Sequence, residues 1–168
     1  MAELTHKERL QPSLLDRLTD EEPDQAQEPR SRRVLSPSRL RECVRRDLGF
    51  LFNTTNLACV RPEVEDYPLV AQSVLNYGLP DLAGHTASSV DVPALERLLR
   101  SAIWEFEPRL LRSSVEVKLA VHEEEMSNNA MTFTVEANLW AQPMPLRLFL
   151  KTAIDLETGE VEVAEVRE

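Results

Sequence analysis

Glycine and cysteine are scarce in this chain: 168 residues include four glycines and two cysteines. With so few glycines there is no Gly-rich loop to cradle a phosphate, which excludes P-loop and dinucleotide-binding fingerprints. Cys43 and Cys59 lie in separate segments without CxxC spacing. Neither a disulfide framework nor a zinc site is therefore expected, and a reduced, cytoplasmic compartment fits. His6, His85 and His122 are scattered and match no metal-ligand spacing, so the expectation is no metal and no cofactor. Long apolar runs are missing too. None approaches the ~20 residues that span a bilayer, and Met1 to Lys7 lacks the apolar core of a signal peptide. Positive charge is in deficit, with a net charge of -10 and a pI of about 4.9. That balance argues against nucleic acid or an anionic membrane as the main partner.

What is present is one domain's worth of chain with a tail. Charge is uneven along it. Arg30 to Arg46 holds seven arginines against Glu42, whereas Ser113 to Glu168 holds eleven acids against four bases. Residues 1–35 are polar and proline-bearing, which reads as a flexible arm. Its one apolar cluster is Leu10, Leu14, Leu15 and Leu18, within a stretch able to form a short docking helix. Such a helix is too short to stand alone in water. Its leucines either join the domain's own core or bind a partner. Residues 36–168 form the domain.

Within the domain, Ser36-Pro37 signals a helix start, and Leu40, Val44, Leu48 and Leu51 follow at steps of four, predicting a helix over 37–52. Arg39, Arg41, Arg45 and Arg46 fall on its polar side, facing solvent or an acidic partner. Asn53 to Tyr67 reads as a loop. Leu69, Val70, Ser73 and Val74 predict a short helix that ends at Gly78, in the left-handed position, and Pro80. From an Asp91 cap, Leu95, Leu98, Leu99, Ala102, Ile103 and Phe106 recur at steps of three and four. This third helix must stop or kink at Pro108.

After Arg112 the period becomes two. Strands are predicted around Val115–Val121, Met131–Leu139, Leu146–Thr152 and Val161–Val163, with a turn at Glu157-Thr158-Gly159 before the last. The expected fold is α+β: about three helices on one face of a four-stranded antiparallel meander.

Catalytic candidates are thin. Glycoside hydrolysis needs two carboxylates facing each other across a sugar, about 5 to 9.5 Å apart. Glu105 and Glu107, two apart on a helix, point about 200° away from one another. Glu123-Glu124-Glu125 reads as solvating charge on a polar turn. Glu107 and Arg109 flank Pro108 at the helix end, where the macrodipole repels the carboxylate and favours the guanidinium. Spacing alone allows two solvated charges there, or a Glu107 held by a cationic partner or by N–H donors.

Three blocks carry a resemblance: Arg46-Asp47-Leu48-Gly49-Phe50-Leu51-Phe52-Asn53-Thr54-Thr55, Tyr77-Gly78-Leu79-Pro80-Asp81-Leu82 and Phe106-Glu107-Pro108-Arg109-Leu110. Together, ahead of a four-strand tail, they resemble the phage-tail baseplate sheath-initiator family, whose historical name carries the word lysozyme. Pro12-Ser13-Leu14-Leu15-Asp16-Arg17-Leu18 is most similar to its type VI secretion branch. Thr55 departs from the arginine that many relatives have after Asn-Thr. The resemblance implies a non-enzymatic part of a contractile machine, cytoplasmic and assembled at an inner-membrane-anchored baseplate. Glu107, Pro108 and Arg109 would seat on the wedge subunits, and the sheet would pair with sheath subunits by β-augmentation. The implied strand is the final one, with Val161 and Val163, guarded by Glu160, Glu162 and Glu165. Leu14, Leu15 and Leu18 would engage a neighbour. The alternative is a peptidoglycan hydrolase.

Overall fold

The computed structural model describes residues 13–19, 36–86, 89–120, 130–141 and 144–166. Two long helices carry the helical layer. The Ser36 hydroxyl accepts from the Arg39 N–H at 3.1 Å and Pro37 occupies the first turn, so α2 (Pro37–Phe52) starts where the sequence places it. It buries Leu40, Cys43, Val44, Leu48, Leu51 and Phe52. Before it, α1 (Leu14–Leu18) is a single capped turn in which Ser13 and Asp16 form a reciprocal capping box. The rest of the proposed arm, including Leu10, lies outside the described residues. The other long helix, α5 (Val92–Phe106), is capped by Asp91, with Pro93 in its first turn, and buries Leu95, Leu99, Ala102 and Ile103.

Between them the outcome differs from the sequence expectation. The predicted loop contains α3 (Leu57–Val60) and a 3₁₀ turn over Pro62–Asp66. The predicted second helix is broken into α4 (Pro68–Ala71) and a 3₁₀ turn over Val74–Asn76. Ser73 causes the break. Its hydroxyl donates to the Val70 carbonyl at 2.8 Å and accepts from the Leu75 N–H at 3.2 Å, a local alternative to helical bonding. Leu69 and Val74 consequently face outward. Gly78 has φ +120°, and a Cβ there would lie 2.1 Å from the Thr54 carbonyl oxygen. Close approach of two backbones, tied by Leu79 N–H to Thr54 C=O at 2.8 Å, thus requires this glycine.

The sheet is the expected meander, β1 (Glu116–Leu119), β2 (Ala130–Leu139), β3 (Leu146–Asp155) and β4 (Val161–Glu165), antiparallel and in sequence order. Phe133, Val135, Leu148, Leu150 and Ile154 alternate onto the buried face, with Val135 opposite Leu150. α2 and α5 cover this face, so the chain is an α+β domain with its helices on one side of a four-stranded sheet. The turn between β3 and β4 closes through Gly159, φ +77°, whose N–H reaches the Asp155 carbonyl at 2.8 Å. Val121 to Asn129, including His122 and the three glutamates, lies outside the described residues. Among the described residues, no helix is long and apolar enough to cross a membrane.

Candidate functional site

α5 ends at Glu107 because Pro108 follows. Glu107 adopts φ -121° and ψ 78° while its N–H still reaches the Ile103 carbonyl. The chain then turns, with Leu110 N–H on the Glu107 carbonyl at 3.2 Å. It joins the end of β2: Trp140 N–H donates to the Arg109 carbonyl at 2.7 Å and Leu111 N–H to the Asn138 carbonyl at 2.9 Å. One side of the corner is anchored to a helix and the other to the sheet.

Glu107 is 4% exposed, so it is not a solvated helix-end charge. Arg109 grips it in a fork, Nε to Oε1 at 2.7 Å and Nη2 to Oε2 at 2.5 Å, and the Arg109 N–H adds a third bond at 3.1 Å. The same Nη2 donates to Asp47 Oδ2 at 2.6 Å. Arg46 holds the other oxygen of Asp47 through Nη2 and Nε, at 2.6 and 2.9 Å, and Nη2 also reaches Asp16 Oδ1 at 2.7 Å. Asp16 is fixed by the Ser13 hydroxyl at 2.7 Å. Five ions of alternating sign, Glu107, Arg109, Asp47, Arg46 and Asp16, thus run from the corner to α1.

The electrostatics follow this geometry. Burial would lower Arg109, but Glu107 and then Asp47 outweigh it and push the guanidinium further up. Burial would raise Asp16, yet hydrogen bonds from Ser13, Arg46 and Cys43 hold its carboxyl down at about 2. Burial, reinforced by Asp16, pushes the Cys43 thiol up to about 11, which leaves it inert as a nucleophile. Tyr77 is raised by burial and by the nearby Asp47 and Glu107. Its ring meets Phe106 edge-on at 5.2 Å and walls the network. Arg109 Nη1 is buried and has no hydrogen-bond partner among the described residues.

The expected corner residues are therefore together, with Pro108 exposed and Arg109 half-buried. Leu14, Leu15 and Leu18 are 70%, 48% and 74% exposed, so none of them fills the core. Val161 and Val163 are buried on β4, away from the corner, at the rim of the sheet. The α2 arginines do not form a bare solvated face. Arg46 is in the ion chain, Arg45 donates to the Val163 carbonyl, Arg41 to the Arg147 carbonyl, and Arg39 pairs with Glu42.

Sequence reasoning missed Asp16, Arg46 and Asp47 as parts of the corner. The signal available was the presence of Arg46 and Asp47 in the first block that carries the resemblance and of Asp16 in the Pro12–Leu18 stretch, but the partners lie 30 and 62 residues apart. Chemically, Glu107 has both oxygens committed to Arg109, which suits it to hold a shape. Among the described residues, no three His, Cys, Asp or Glu side chains cluster as metal ligands would.

A family model described as baseplate wedge protein gp25 matches residues 38–144. No curated protein and no solved structure matches the chain. The matched span takes in nearly all of α2, the whole of α5, the Glu107–Arg109 corner and the strands β1 and β2, well over half of the molecule. On that match the chain belongs to the baseplate wedge protein gp25 family and is a structural component of a phage-tail-like baseplate.

Proposed function

We propose that this chain is a TssE-like baseplate subunit of a type VI contractile secretion machine, an assembly part and not an enzyme. It seats on the helical core bundle of the wedge through Glu107, Pro108 and Arg109. Its β4 rim, at Val161 and Val163, serves the first sheath ring as a strand-pairing template. It works in the cytoplasm, against a baseplate anchored at the inner membrane.

The observation that carries this reading is the buried grip of Glu107 on Arg109 beneath an exposed Pro108. A buried carboxylate spent on orienting one guanidinium is a preorganising device, and preorganisation is what makes a small contact strong. Trp140, 56% exposed, is tied through its backbone N–H to the Arg109 carbonyl. Tryptophan and arginine are the residue types that dominate interface energetics. The type VI assignment is supported by α1, whose capping box and Asp16–Arg46 pair present Leu14, Leu15 and Leu18 outward for a neighbouring subunit.

The test compares wild type with Arg109→Lys, which keeps the charge and removes the fork, and with Trp140→Ala. Both variants should fold and fail to co-purify with the wedge subunits, and cells carrying them should build no sheath. Normal wedge incorporation and secretion with Arg109→Lys would remove the corner from the mechanism. Clearing of cell-wall material by the purified protein would overturn the non-enzymatic reading.

A further inference from the structure

The strand order leaves β4 at a rim of the sheet, where the outward backbone groups of a final strand are ordinarily available to another chain. Here three of them, the N–H and carbonyl of Val161 and the carbonyl of Val163, are already engaged. Val161 N–H donates to Asn53 Oδ1 at 2.8 Å, and Asn53 Nδ2 donates back to the Val161 carbonyl at 2.7 Å. Two residues along the strand, Arg45 Nη1 donates to the Val163 carbonyl at 3.1 Å. Farther along, Arg41 Nε lies 3.9 Å from the Glu165 carboxylate.

Arg41, Arg45, Gly49 and Asn53 recur at steps of four, so one stripe of α2 and its cap runs beside the rim. A carboxamide carries the donor and acceptor of a peptide group. Asn53 therefore occupies the position that a peptide unit of a fifth strand would take. The space beside Gly49, between helix and strand, is open: a Cβ added there would meet nothing within 4 Å. The opposite rim is held in a related way, with Leu119 N–H on Glu96 of α5 at 2.8 Å.

We propose that Asn53 and Arg45 form a side-chain latch that closes the β4 rim against strand addition until a partner strand displaces them; the inference rests on the reading of β4 as a sheath template. Displacement is an exchange. The incoming strand supplies an acceptor and a donor to Val161 and a donor to Val163. Asn53 Nδ2, released from Val161, retains the Gly49 carbonyl at 2.8 Å, and Arg45 returns to water. Without a partner strand, the latch keeps copies of the subunit from pairing rim to rim.

The test uses the full chain with Asn53→Ala and Arg45→Ala. Hydrogen exchange is read at Val161, against Glu162 and Ala164, whose amides face β3 in the alternating ladder. In Asn53→Ala the Val161 amide should exchange roughly tenfold faster, as expected for loss of a hydrogen bond of ordinary net strength, while the two ladder amides keep their protection. Sedimentation should show new self-association, and capture of the sheath subunit should rise. Arg45→Ala, which leaves the α2 cap intact, should give the same gain in association at smaller size, and it decides the matter if Asn53→Ala does not fold. An unchanged Val161 amide, or an exposed amide with no gain in association of either kind, overturns the latch. Self-association without any gain in sheath capture keeps the latch and removes the sheath as its target.

Discussion

The corner and the β4 rim both immobilise backbone that would otherwise be free, by opposite means. At the corner the locking groups are ions, and the central one, Glu107, is 4% exposed. At the rim the group that holds Val161 from both sides is a neutral amide on Asn53, an exposed residue, with the Arg45 guanidinium on one further carbonyl. Buried ions hold strongly once paired, because an unpaired partner would be left without solvent. A surface amide holds about as well as the water or strand that replaces it. The difference teaches which region is built to stay put and which is built to exchange.

Four experiments bear on that contrast. The largest effect belongs to Glu107→Ala, which among the described residues leaves Arg109 with Asp47 as its one carboxylate and Nη1 without a partner. We expect a loss of about 3–5 kcal/mol in chemical denaturation, so this variant tests stability and is a poor probe of binding. A loss below about 1 kcal/mol would place the corner among ordinary surface pairs. Asp47→Asn comes next, since Asp47 gives one oxygen to Arg46 and the other to Arg109. It should cost about 1–3 kcal/mol. It should also uncouple α1 from the corner, seen as a double-mutant cycle between Asp16 and Arg109 falling to zero.

Third is pH. The Asp16 carboxyl lies at about 2, below its ordinary value of 3.8, so its ionised form stabilises docking of α1. Docking is complete above about pH 4 and is lost as pH falls toward 2, while pH 5 to 8 changes nothing through this group. Exchange at the Thr19 amide, bonded to the Leu15 carbonyl, follows it. The smallest effect is that of Arg45→Ala on stability, within about 0.5 kcal/mol. A larger loss would make the rim a structural lock like the corner.

Much of the fold was legible because it depends on local rules. The period-four stripe of α2, the stop at Pro108, the alternation of β2 and β3 and the turn at Gly159 each follow from a few adjacent side chains. The segment from Leu57 to Asn76 was misread. Its first part reads as a loop and its second as one short helix, whereas the loop holds α3 and a 3₁₀ turn and Ser73 breaks the helix. The corner was half legible. Its helix end and its charges could be placed, but Glu107 alone gave no hint of whether solvent or a cation would receive it.

The sequence by itself determined the two long helices, the four strands in meander order, the abrupt end of α5 and the charges on either side of Pro108. These depend on periodicity, caps and proline geometry, which act within a few residues. Only the tertiary structure decided that Asp16, Arg46 and Asp47 belong to the corner, and that Asn53 and Arg45 belong to the rim. Those contacts join residues 30 to 118 positions apart. A polar side chain has the same local signature whether it ends in water or on a distant carboxylate or carbonyl, and the packing of α2 across the sheet settles which.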